Sequence, residues 1–190
     1  LLGALVSENG VRTALTSRPP KYAAYREFVT GLERFARYQD FTGSRPFFAR
    51  AIALDSTFTV AYFWLGNAYI NSGMLDSAEV VQSRMNSSRG RISAAERLHV
   101  EFMDAILRGD LEGSLRSQVQ LAKRDSNPVS LYLIGNTGIA LLRPDVAIPA
   151  LERGDSLLLA AGWSPQVDVL AEAYHQQGAH DKELATTLRG

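Results

Sequence analysis

One recurrence constrains this chain more than any other feature. In Tyr62-x2-Leu65-Gly66-x2-Tyr69 a small residue sits among large apolar ones at helical spacing, with Gly73 and then Ala78 behind it. Counterparts run through the rest of the sequence: Phe28-x2-Gly31-Leu32-x2-Phe35, Phe102-Met103-x2-Ile106, Leu131-x2-Ile134-Gly135 and Val167-x2-Leu170-Ala171-x2-Tyr174. The landmark falls at Leu32, Gly66, Met103, Gly135 and Ala171, in steps of 34, 37, 32 and 36. A period of this size marks stacked supersecondary units, each too small to bury its apolar face alone. The residue types follow from packing. Gly66 and Ala78 are small where two helices of a hairpin must approach closely. Tyr62, Leu65 and Tyr69 fill the space between hairpins, and Gly73 supplies the left-handed residue that ends a helix. The third unit carries the fewest landmarks.

The units read as helices. Apolar residues recur at spacings of three and four in Tyr25, Phe28, Val29, Leu32 and Phe35. Alternating strand-like runs are short. Breakers separate the helical stretches at Gly43, Gly73, Gly90, Gly109, Pro128, Pro144, Gly154, Pro165 and Gly178. Ser93-Ala94-Ala95-Glu96 reads as a capping box, and Asn127-Pro128 and Ser164-Pro165 place a capping side chain before a first-turn proline. The spacing predicts helices over about 22–38, 44–54, 58–72, 75–88, 93–108, 111–124, 128–142, 144–153, 165–177 and 180–189. Pro149 falls inside the 144–153 stretch, where a lost hydrogen bond argues for a short, kinked or late-starting helix. Residues 1–21 form a lead-in segment with room for one short helix before Arg18-Pro19-Pro20. The five hairpins fall at about 22–56, 57–91, 92–126, 127–162 and 163–190.

On these residues the chain resembles the tetratricopeptide repeat family over about 22–190. The phrases Arg18-Pro19-Pro20-Lys21-Tyr22-Ala23-Ala24-Tyr25-Arg26 and Arg50-Ala51-Ile52-Ala53-Leu54-Asp55 also resemble repeat regions attached to bacterial serine/threonine kinases or transcriptional regulators. The 17 arginines against 3 lysines agree with a bacterial source. The family resemblance implies an all-α, right-handed superhelical solenoid whose first helices line a concave groove. Carried over position by position, the groove holds Val29, Glu33 and Arg37 from the first hairpin and Phe63, Asn67 and Asn71 from the second. Val100, Asp104, Tyr132, Asn136, Asp168 and Glu172 follow from the later ones. Asn67 and Asn136 can each donate and accept, which suits the backbone of an extended peptide; side chains merely in water are the simpler alternative. The family's clamp for chaperone tails needs lysines and an arginine. The matching sites hold Val29, Glu33, Trp64, Arg97 and Glu101, so a chaperone-tail adaptor is not expected.

Signals for chemistry are weak. There is no cysteine, hence no disulfide, thiolate metal site or cysteine nucleophile, and cytoplasm and periplasm suit the chain equally. No Gly-x-Ser-x-Gly elbow and no phosphate-binding glycine loop occurs. His175 and His180 stand five apart; a turn through Gly178 would bring them together, but two surface histidines flanking a helix end is the preferred reading over a zinc site. Arg108-Gly109-Asp110 and Arg153-Gly154-Asp155 read as helix ends rather than adhesion motifs. Arg84, Arg89, Arg91 and Arg97 cluster around the longest repeat step, where Asn86-Ser87-Ser88 lengthens the linker. They read as a solvated loop, with contact to a phosphate or an acidic partner as the alternative. Twenty basic and twenty acidic residues cancel, which argues against nucleic acid as partner, and no apolar run reaches the ~18 residues of a membrane helix.

The sequence therefore predicts a non-catalytic scaffold, without cofactor or metal, for a protein or extended peptide. The alternative is a regulatory or sensory region of a larger bacterial signalling protein; an enzyme ranks last. The chain opens without Met and closes on a helix carrying Leu184 and Leu188. We expect a fragment of a longer protein, or one that self-associates through this C-terminal edge; the alternative is that both leucines turn inward and the fifth hairpin caps itself.

Overall fold

A computed structural model describes residues 19–124, 128–160 and 163–189 of this chain. Among them are ten α-helices, one 3-10 turn and no strand. The chain divides into two compact units at the Gly109–Asp110 junction. The first holds α1 (Tyr22–Arg37), α2 (Phe41–Leu54), α3 (Thr59–Asn71), α4 (Leu75–Ser87), the 3-10 turn Arg89–Arg91 and α5 (Ala94–Leu107). The second holds α6 (Leu111–Arg124), α7 (Pro128–Ala140), α8 (Pro144–Ala160), α9 (Pro165–Gln177) and α10 (His180–Thr187). Within each unit every helix packs on the next, and first helices also meet: α1 and α5 on α3, and α7 on α9. Of the expected 1–21 lead-in, residues 1–18 lie outside the described ones.

The helix ends follow from local chemistry. Asp40 accepts from Gly43 N–H at 2.7 Å and starts α2 at Phe41, three residues before the sequence places it. That bond holds the Asp40 carboxyl below its ordinary range, helped by Arg34. The capping box is formed: Glu96 N–H donates to Ser93 Oγ and Ser93 N–H to Glu96 Oε2, at 3.2 and 2.8 Å. Asp110 caps α6 by accepting from Gly113 N–H at 2.7 Å. Ser164, by contrast, makes no cap hydrogen bond, although Pro165 does open α9; Asn127 lies outside the described residues. Three helices end in the same double-bonded turn, with Gly73, Leu142 and Gly178 at φ 71, 55 and 75°. In each, the next residue's N–H reaches back five positions, to Tyr69, Gly138 and Tyr174 oxygens.

Two expectations need correction. The helix from Pro144 is neither short nor late: it runs 17 residues with Pro149 inside. Gly154 is no helix end. It is buried in the middle of α8, where a Cβ would stand 3.3 Å from Leu131 Cβ and 3.4 Å from Leu158 Cδ1. Its smallness serves close helix approach. Gly109 does end α5 with φ 70°, as its tripeptide suggested.

Candidate functional site

The first unit carries eight of the twelve groove candidates, and the structure sorts them into two kinds. Phe63 and Val100 are core residues, 4% and 0% exposed, and cannot line a groove. Phe63 packs its ring on His99 at 4.5 Å and Phe102 at 5.8 Å, because α3 lies against α5. Val100 is walled in beside Gln82, whose Nε2 donates to the Val100 carbonyl at 2.9 Å. The polar candidates stay at the surface. Glu33 pairs with Arg37 one turn on at 3.8 Å, and Asp104 pairs with Arg108. Asn67 and Asn71 each donate one amide hydrogen to their own helix, to the Phe63 and Asn67 carbonyls at 2.8 and 2.9 Å. Their carbonyl oxygens and second hydrogens remain available outward. Val29 is half-buried.

The second unit carries Tyr132, Asn136, Asp168 and Glu172. Asn136, Asp168 and Glu172 are exposed. Tyr132 stands edge-on to Trp163, centroids 5.2 Å apart, a contact invisible in the sequence because it joins residues 31 positions apart. Burial raises the Tyr132 hydroxyl above its ordinary pKa, and the Asp168 charge adds to this. Glu172 accepts from Gln176 Nε2 at 3.1 Å, and the same nitrogen reaches the Ile139 carbonyl at 3.2 Å. α7 and α9 are thereby tied together beside these side chains.

Two further clusters were weighed in the sequence. His175 and His180 do come together, rings 5.6 Å apart. Glu183, which the sequence reading overlooked although it stands three residues after His180, joins them: its oxygens lie 3.1 Å from His175 Nδ1 and 3.0 Å from His180 Nδ1. The hydrogen bond with His180, and then that with His175, lowers the Glu183 pKa. These bonds account for the arrangement of three surface side chains. Two of the linker arginines, Arg84 and Arg91, meanwhile, border a cleft of about 420 Å³ formed by the start of α3, the end of α4 and the 3-10 turn. Among the described residues no helix is long and apolar enough to cross a membrane.

No protein-family model matches the chain, and no curated protein matches it in sequence. Solved structures do. A crystal structure from Podosopora anserina, described as kinesin light chain nearly identical TPR-like repeats, aligns over 88% of this chain and 93% of its own, at TM-score 0.51 and 12% identity. A point variant of it aligns over 90% and 95%, at TM-score 0.52 and 11% identity. At such identity the likeness speaks to fold alone: the chain has a TPR-like helical repeat fold.

Proposed function

We propose that this chain is a non-catalytic scaffold that holds a protein or extended peptide against the first helices of its hairpins. The observation that carries the reading is the split character of those helices. α1 and α9 bury one face, through Phe28, Leu32 and Phe35 or Val167, Leu170 and Tyr174, whereas α3 and α7 are buried on most sides and leave a narrow strip. Each offers polar groups elsewhere: Glu33 and Arg37, Asn67 and Asn71, Asp104, Asn136, then Asp168 and Glu172. Repeat folds of this type bind partners through such extended surfaces. Amide and carboxylate groups suit the alternating donors and acceptors of a peptide backbone. Leu184 and Leu188, 61% and 78% exposed, support self-association through the C-terminal helix as a second contact of the scaffold.

The test begins with a peptide selected from a display library against the whole chain. Its affinity is then measured for an Asn67→Ala, Asn136→Ala double variant. We expect a loss of about tenfold with the melting temperature nearly unchanged. Unchanged affinity, together with a loss on charge reversal at Arg89 and Arg91, would move the binding surface to the linker.

A further inference from the structure

The cleft beside the linker is a different kind of site from a peptide groove. Its 420 Å³ falls in the range of small-molecule pockets, roughly 300–1,000 Å³. Of the four linker arginines, two are committed elsewhere. Arg89 Nη2 lies 2.6 Å from Glu101 Oε1, and Arg97 Nη1 donates to the Ile92 carbonyl at 2.8 Å. The other two, Arg84 and Arg91, both line the cleft, and among the described residues neither guanidinium has an ion-pair or hydrogen-bond partner. Ser56, Ser88 and Tyr62 line it too, their hydroxyls equally without a partner among the described residues. Five polar side chains without a partner among the described residues, three of them exposed, thus belong to the lining of one concavity.

Charge and shape narrow the ligand. No carboxylate lines the cleft. Asp55, just before Ser56, is buried, and its oxygens accept from Lys21 N–H, Thr57 N–H and Thr57 Oγ1. Burial raises the Tyr62 hydroxyl above its ordinary pKa, with Arg84 pulling it back and the Asp55 charge pushing it up again, so Tyr62 stays a neutral donor close to that arginine. α3 begins at the cleft with Thr59, and its N-cap residue Phe58 makes no side-chain bond. The positive end of the helix therefore adds to the field. Met85 and Ile92, 2% and 9% exposed, supply an apolar wall. A carboxylate would neutralise only one of two guanidiniums. A phosphomonoester, at about −1.5 to −2 charge near pH 7, matches both, and its oxygens accept the forked donors of arginine.

We propose that this cleft binds a phosphomonoester attached to a small apolar or aromatic group, with Arg84 and Arg91 on the phosphoryl oxygens and Ser56, Ser88 and Tyr62 as further donors. The group could arrive as a free phosphorylated small molecule or as a phosphorylated side chain of a bound protein. The site stands or falls separately from the peptide groove, since the two share no residue.

Calorimetric titration of the whole chain tests it, with phenyl phosphate, a phosphoserine heptapeptide and the same peptide unphosphorylated. At least one phosphorylated probe should bind with Kd below about 1 mM, and the unphosphorylated peptide at least about tenfold more weakly. The tighter of the two phosphorylated probes identifies the source. Arg84→Gln with Arg91→Gln should weaken binding by about tenfold or more, and Arg89→Gln should leave it unchanged. Tyr62→Phe gives a second reading that keeps both charges, with a loss of severalfold. Failure of both phosphorylated probes to bind at about 10 mM, or binding by the double-arginine variant within about twofold of the parent, overturns the assignment. Melting curves confirm that each variant is folded.

Discussion

From α1 to α5 the helices meet mainly through a cluster of aromatic rings; from α6 to α10 they meet mainly through glycine, alanine and aliphatic side chains, with Tyr132 and Tyr174 the aromatic exceptions. In the first unit Phe28 lies between Phe48 and Phe58, at 5.8 and 4.9 Å, and Phe35 meets Trp64 edge-on at 5.0 Å. In the second unit the core is Ala147, Ile148, Leu151, Val169, Leu170, Ala173 and a single buried aromatic, Tyr174, with Leu115, Leu131 and Ile134 beside it and Tyr132 at its edge. Large rings hold helices apart and fill the gap; small residues let backbones close it. A Cβ on Gly138 would stand 3.2 Å from the Ala147 backbone nitrogen. The same repeat geometry is reached by two routes, and they differ in how much each tolerates being shortened or lengthened.

Truncation should hurt the aromatic unit most. Phe28→Ala, at a site 1% exposed, should cost about 3–5 kcal/mol in urea unfolding; a loss under about 1 kcal/mol would mean that the ring cluster is not the unit's core. Acid should act on the same unit. His99, fully enclosed, has its pKa lowered to about 4 by burial, against a smaller opposing pull from Glu96. The folded protein therefore binds fewer protons than the unfolded chain between about pH 6.5 and 4. Stability is full above that window and falls as pH drops through it, by on the order of 3 kcal/mol. His99→Leu should flatten the difference between unfolding midpoints at pH 7 and pH 4.5; an unaltered slope would remove His99 from the explanation.

Enlargement should discriminate in the other direction. A Cβ on Gly135 would fall on Leu151, 2.7 Å from Cδ1 and closer still to its branch point, whereas one on Gly66 would meet the flexible end of Met103, 2.7 Å from Cε. Gly135→Ala should cost about 1–3 kcal/mol and Gly66→Ala under about 1 kcal/mol, while Gly66→Leu exceeds what Met103 can yield and returns to about 1–3 kcal/mol. Equal losses for the two alanine variants would erase the contrast between the units. The smallest expected effect is a gain. Leu142 holds the left-handed position that glycine holds after α3 and α9, and its side chain is 76% exposed. Leu142→Gly should raise stability by about 0.5–1 kcal/mol.

The helix boundaries were legible because their causes are local. Ser93 and Glu96 are three residues apart, and Gly73 and Gly178 announce a left-handed turn wherever they stand. Gly154 shows the limit of such signals: the same residue type that stops a helix also admits a neighbouring one, and only the approach of Leu131 tells them apart. The weak third landmark has a tertiary cause as well. Met103 is large because Gly66 leaves the space it fills. At the site, Phe63 and Val100 were misplaced because side-by-side packing of α3 and α5 decides what faces outward. The split among the linker arginines was hidden for the same reason, since Arg89 finds Glu101 only once α5 is in place.

First helices of both units are proposed to carry the binding surface, and hydrogen exchange with and without the selected peptide distinguishes them from the rest of the chain. Added protection is expected in α1, α3, α5, α7 and α9, with the second helices α2, α4, α6, α8 and α10 unchanged. Protection confined to the second helices, or to the linker between Arg84 and Arg97, would contradict it.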